Sequence, residues 1–120
     1  TIYFFNNNAQ TLYLGRGTNW RVADERIDAG RFYSNVMTYD LKNERYAYLE
    51  KEVFDQNDIH TFTEGMSEVL PDGRLFVEEQ NSGVLWVIKD GEVLYKNVFP
   101  SHHEGHHHLP NWTRIINSWP

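Results

Sequence analysis

The chain has 120 residues, enough for one domain, with 40% hydrophobic and 23% charged residues, the balance of a globular protein. It holds no cysteine, which excludes disulfides, zinc–thiolate sites, iron–sulfur clusters and thiol nucleophiles. A net charge of −6 argues against duplex nucleic acid as a partner, and no apolar run approaches the roughly 20 residues of a membrane-spanning helix. Aromatic residues are in excess at 15%, which favours sheet over helix.

Thr1–Asn6 reads as a strand, entered directly at Ile2-Tyr3-Phe4-Phe5, without initiator Met or signal peptide. The stretch 7–30 has no firm period; it holds three glycines, Trp20 and mixed charge, and reads as an excursion between two strands. Phe32–Asp40 is the next strand, carrying Tyr33, Met37 and Tyr39, and the chain turns at Asp40-Leu41-Lys42-Asn43-Glu44. Arg45–Phe54 alternates well enough for a third strand, anchored by Tyr46, Tyr48 and Val53. No segment carries a convincing helical period.

The second half is more legible. Gly65–Leu70 is halted by Pro71-Asp72-Gly73, with Pro where φ near −65° is wanted and Gly where φ turns positive. Arg74–Glu79 follows, then a turn at Asn81-Ser82-Gly83, then Val84–Lys89. Asp90-Gly91 is a two-residue hairpin signal leading into Glu92–Val98. Beyond Pro100 a polar, His-rich loop leads to a last strand-like run, Trp112–Asn117. The class is therefore all-β, built of antiparallel four-stranded meanders. Sheets of this kind, recurring at about 40 to 50 residues, suggest propeller blades. A self-contained β-sandwich or barrel of about eight strands fits the strand count equally.

Several stretches carry a family likeness. The run from Glu64 to Gly83 resembles the last blade of bacterial arylsulfotransferase-family proteins, with its "G-x-x-x-x-L-P-D/N-G" hairpin and "V-E-E-x-N-x-G" strand end. Asp90–Val98 is similar to the hairpin that follows, and Asn111-Trp112-Thr113-Arg114-Ile115-Ile116 resembles the closing "W-S-R-I" segment. In the first half, Thr1–Asn8 is similar to the "L-x-F-D-N-G" strand end and Tyr33–Asp40 to the "Y-S-R-x-x-E-Y" strand. The resemblance spans nearly the whole chain, apart from 9–30 and the His-rich loop.

It implies a little under two blades of a six-bladed β-propeller, the C-terminal fragment of a single domain. Residues 1–54 are then an incomplete blade with an insertion at 7–30, 64–99 a complete blade, and 112–118 a closing strand. It further implies a periplasmic or otherwise extracytoplasmic bacterial protein whose partners are the remainder of its own propeller chain and small aryl sulfates and phenols, with no cofactor. The intact form would transfer a sulfuryl group from an aryl sulfate to a phenol through a histidine that is transiently sulfated. The family places that nucleophile on a strand that would lie upstream of Thr1, so the fragment alone is expected to be inactive. Asn6 stands where the family has Asp, and Asn35 where it has Arg.

Six histidines invite a metal reading: His60, His102, His103, His106, His107 and His108. The 102–108 tract lacks ordered ligand spacing and reads as a solvated or interface loop rather than a metal site. Asp58-Ile59-His60-Thr61 precedes the strand at Gly65, the innermost of its blade on the propeller reading. His60 is thus either a channel-lining residue for sulfate or acceptor, or a loop histidine bonded to a backbone carbonyl. Arg114 could hold an anionic substrate as a bidentate donor, or pair with Glu64 or Glu68. His108 completes the substrate-binding candidates. Glu78 and Glu79, consecutive on a strand, face opposite sides and read as structural hydrogen-bond acceptors rather than one acid–base pair. A non-catalytic propeller scaffold, binding a small ligand or a protein, is the alternative function.

Overall fold

A computed structural model describes residues 1–7, 34–61 and 64–116. They form two antiparallel sheets, each in sequential order. The first contains β1 (Ile2–Asn6), β2 (Asn35–Asp40) and β3 (Arg45–Leu49); the second contains β4 (Gly65–Val69), β5 (Leu75–Glu79), β6 (Val84–Lys89) and β7 (Glu92–Val98). The all-β class and both meanders agree with the sequence reading. Among the described residues no helix is long and apolar enough to cross a membrane. The expected excursion over 7–30 falls, apart from Asn7, outside the described residues, as do Phe32 and Tyr33 of the second strand.

The turns have the chemistry their residues dictate. At Pro71-Asp72-Gly73 the amide of Leu70 donates to Arg74 O (2.8 Å) and that of Gly73 to Leu70 O (2.9 Å), with Gly73 at φ 84°. Asp90 and Gly91 have φ of 52° and 82°, the paired positive values that a two-residue hairpin requires to match strand twist. Ile88 pairs with Val93 while Val87 pairs with Tyr95, so β7 bulges by one residue beside this hairpin.

Two expectations fail. Arg45–Phe54 is not one strand: it stops at Leu49, and Lys51–Asn57 forms a helix, α1. Glu50 takes a left-handed conformation (φ 54°), its carbonyl accepts from Val53 N and Phe54 N, and Lys51 pairs with Asp55 one turn on. A strand would send Val53 and Phe54 to opposite faces; one helical turn puts both into the core, each about 1% exposed. The second failure is the closing strand at 112–118. Residues 112–116 have no regular structure, and 117 and 118 lie outside the described residues.

The core sits between the sheets. Val36 of β2, Val53 and Phe54 of α1, and Ile59 meet Leu75, Val77, Val84, Trp86 and Ile88 of the second sheet, with Phe5, Leu49 and Val69 at the margin. At Gly65 β4 packs against β1 without room for a side chain. A methyl group there would run into the Phe5 ring and the Thr61 side chain. The far face of the first sheet carries Phe4, Met37, Tyr39, Tyr46 and Tyr48, brought together by the register Phe4–Met37–Tyr48 and Ile2–Tyr39–Tyr46. Tyr46 and Tyr48 there are exposed.

Candidate functional site

Period-two alternation on β5 decides which side chains can reach a ligand. Leu75, Val77 and Glu79 face the core, whereas Phe76, Glu78 and, just past the strand, Gln80 face the other side. On that other side the 111–116 segment lies across β4 and β5. Its anchor is Glu78, whose Oε2 accepts from Thr113 N at 2.8 Å. Glu78 is only 3% exposed, so this charge-assisted bond is shielded from water.

A cavity of about 280 Å³ opens where the 111–116 segment, the start of β4 and the end of β1 meet. Glu64, Glu78, Gln80 and Asn111 supply its polar wall; Met66 and Trp112 supply apolar surface. Asn7 and the Gly65 backbone close the rim. Trp112 has φ of 57° and is 72% exposed, an indole held outside the core beside the opening. Comparison with known proteins finds no matching family model, no matching curated protein and no matching solved structure.

Beneath the cavity lies a buried polar layer. Thr61 N donates to Ser34 Oγ (3.0 Å), and the single hydroxyl proton of Ser34 has Thr61 O and Asn7 O as acceptors (both 3.3 Å). The Thr61 hydroxyl also bonds Glu64 O and Asn81 Oδ1, linking the approach to β4 with the β5–β6 turn. Glu79, on the core side, accepts from Trp86 Nε1 (2.8 Å) and from His60 N (3.3 Å). The two neighbouring glutamates therefore serve opposite faces as hydrogen-bond acceptors, as their alternation requires.

The residues singled out from sequence do not converge. His60 directs Nδ1 to Asp58 O at 2.9 Å, with Asp58 Oδ1 3.6 Å away, and does not line the cavity. This geometry matches a loop histidine on a backbone carbonyl. Arg114 is not among the residues lining the cavity, but its Nη1 lies 3.7 Å from the Sδ of Met66, which is; among the described residues no ion pair joins it to Glu64 or Glu68. His108 is exposed, and its amide donates to Phe99 O (2.9 Å). Within the loop, His107 Nε2 lies 2.7 Å from Asn81 O and His106 Nδ1 lies 2.9 Å from Glu104 O. Among the described residues no three His, Asp or Glu side chains are grouped to hold a metal ion.

Asn35, at the position where the family likeness calls for Arg, is 1% exposed. Neither atom of its amide has a hydrogen-bond partner among the described residues. Sequence reading missed Gln80, Asn111, Met66 and Asn7 as cavity residues. Only the opposite facing of the consecutive Glu78 and Glu79 hinted at a second polar face. Nothing local in the sequence signals that Thr113 folds back onto Glu78, 35 residues earlier.

Proposed function

We propose that this chain is a ligand-binding portion of a β-propeller, its two sheets being neighbouring blades, and that the cavity walled by Glu64, Glu78, Gln80 and Trp112 receives a small molecule. The cavity carries the reading. It joins a shielded carboxylate, amide donors and acceptors, and an exposed indole, the mix of apolar surface and few placed polar groups that small-molecule sites use. The propeller part is supported by two sequential meanders stacked through β1 and β4, the first with three strands and the second with four. It is supported further by the partly exposed aromatic outer face around Phe4, Tyr46 and Tyr48, edged by the Lys51 ammonium over the Tyr48 ring, which suits burial against another blade of the same chain.

Sulfuryl transfer from an aryl sulfate to a phenol, in an extracytoplasmic protein, is the second reading. Its support is the agreement of the turns at Pro71–Gly73 and Asp90–Gly91 with the hairpins that the arylsulfotransferase likeness calls for. Against a sulfate site at this cavity, none of the residues found to line it is His, Lys or Arg. Any sulfohistidine would act from elsewhere in an intact protein.

The test is an amide NMR titration of the chain against a panel of cationic, neutral and anionic small molecules, 4-nitrophenyl sulfate included. Shifts concentrated at Gly65, Gln80 and Trp112 are expected for at least one class. A panel that moves no cavity resonance would sink the binding reading. Nitrophenol release from 4-nitrophenyl sulfate in the presence of phenol would favour the second.

A further inference from the structure

The chemistry of the cavity wall selects among ligand classes, and we propose that the cavity is a binding site for a small organic cation of the alkylammonium or quaternary ammonium type. The proposal rests on the ligand-binding reading above and adds the class of ligand.

Two observations converge. The first is charge. Both ionisable residues found lining the cavity are carboxylic acids, Glu64 and Glu78, in a chain of net charge −6. Glu78 is 3% exposed, and the Thr113 amide occupies only one of its oxygens in the hydrogen bond described above. An ionised carboxylate has acceptor capacity for several donors, and a cleft walled in low-dielectric material strengthens the field of a carboxylate inside it. An anion entering here would meet that field with the wrong sign.

The second is the aromatic wall. Trp112, 72% exposed, is spared from the core and kept at the opening by a left-handed backbone and by the Thr113–Glu78 bond that follows it. Indole is the strongest aromatic partner for a cation, and methylated ammonium groups match its face because they shed water readily. Met66 gives the methyl groups a soft apolar contact, while Gln80 and Asn111 suit a hydroxyl or amide on the ligand. A volume of about 280 Å³ lies at the lower edge of small-molecule sites, which limits the ligand to about the size of choline.

Arg114 supplies the discriminating variable. Its guanidinium rests against the sulfur of Met66, a residue that lines the cavity. For a cationic ligand Arg114 is a nearby like charge that weakens binding; for an anionic ligand it would be the anchor. Removing it therefore moves the two affinities in opposite directions.

The experiment titrates the chain with choline, with its neutral carbon isostere 3,3-dimethylbutan-1-ol, and with 4-nitrophenyl sulfate, following the Trp112 indole NH and the Gly65 and Gln80 amides by NMR. Choline is expected to bind about tenfold more tightly than the isostere, from the cation–π and carboxylate contributions together. Trp112→Ala and Glu64→Gln, both at exposed side chains, should each weaken choline severalfold, and Arg114→Ala should strengthen it. Equal binding of the isostere, preference for the sulfate ester, or weaker choline binding by Arg114→Ala would each overturn the cation assignment while leaving a binding site. Silence from all three ligands would overturn the assignment and the binding reading together.

Discussion

At the scale of single residues, several buried polar side chains among the described residues are held by named partners, and Asn35 is not. Glu79 could not lie 5% exposed without Trp86 Nε1 and His60 N to take its oxygens. Thr61, 2% exposed, is held in the same way by Ser34, Glu64 and Asn81. Asn35 is the exception, with a buried amide that meets no partner among the described residues. Each such orphaned group costs about 1–3 kcal/mol of desolvation. Asn35→Leu, close in shape and free of polar atoms, should therefore raise stability by roughly 1 kcal/mol or more, read as a higher denaturation midpoint at unchanged slope. A lower midpoint would mean that the amide is satisfied in solution.

At the scale of elements, turn residues proved easier to read than the segment that follows β3. Pro-Asp-Gly and Asp-Gly fix backbone angles through the residues themselves, so β4 to β7 could be placed to within a residue or so. Arg45–Phe54 could not, because Tyr46 and Tyr48 carry a strand-like alternation and Val53 reads as a further strand residue, while the switch to helix depends on burying Val53 and Phe54 side by side in the core shared with the second sheet. The left-handed Glu50 makes that switch, and its Oε2 accepts from Gly91 N (2.9 Å), a contact with the β6–β7 hairpin across 41 residues. The cavity was illegible for the same reason, since its walls come from segments distant in sequence. Two turns have a measurable pH signature. The Asn43 side chain, with the Lys42 and Asn43 amides, holds the Asp40 carboxyl below its ordinary value. The backbone amide and guanidinium of Arg74 do the same for Asp72. Because the folded values are lowered, the unfolded chain binds more protons once the pH drops toward the ordinary aspartate value of about 4. Their stabilisation is thus complete above that value and lost as the pH falls through the lower, folded ones. Melting temperature should decline from about pH 5 to pH 3, and the decline should be shallower in Asp40→Asn/Asp72→Asn. An identical slope in the double variant would remove these turns from the acid response.

For the molecule as a whole, the question is whether two sheets with separate hydrogen-bond ladders behave as one folding unit. Among the described residues no strand is shared between them, so the coupling seen there runs through side chains. Val36 is fully buried and belongs to the first sheet, yet its cluster partners Val77, Trp86 and Ile88 belong to the second. The helix adds Val53 and Phe54 to the same cluster, and Glu50 ties its start to the far hairpin. Burial is also uneven: β5 is buried along its whole length, whereas β3 and β7 are largely exposed. Fraying is therefore expected at β3 and β7, which should exchange amide hydrogens early, while β5 opens only with the whole fold. Val36→Ala tests the coupling directly. Removing two carbons from a site with no solvent access should cost roughly 2 kcal/mol. Because the core is common, methyl resonances of Ile88 in the second sheet should lose their folded signals at the same lowered denaturant concentration as those of Leu49 in the first. A shift at Leu49 with none at Ile88 would show two independently stable sheets, and with them a seam that can open without unfolding either one.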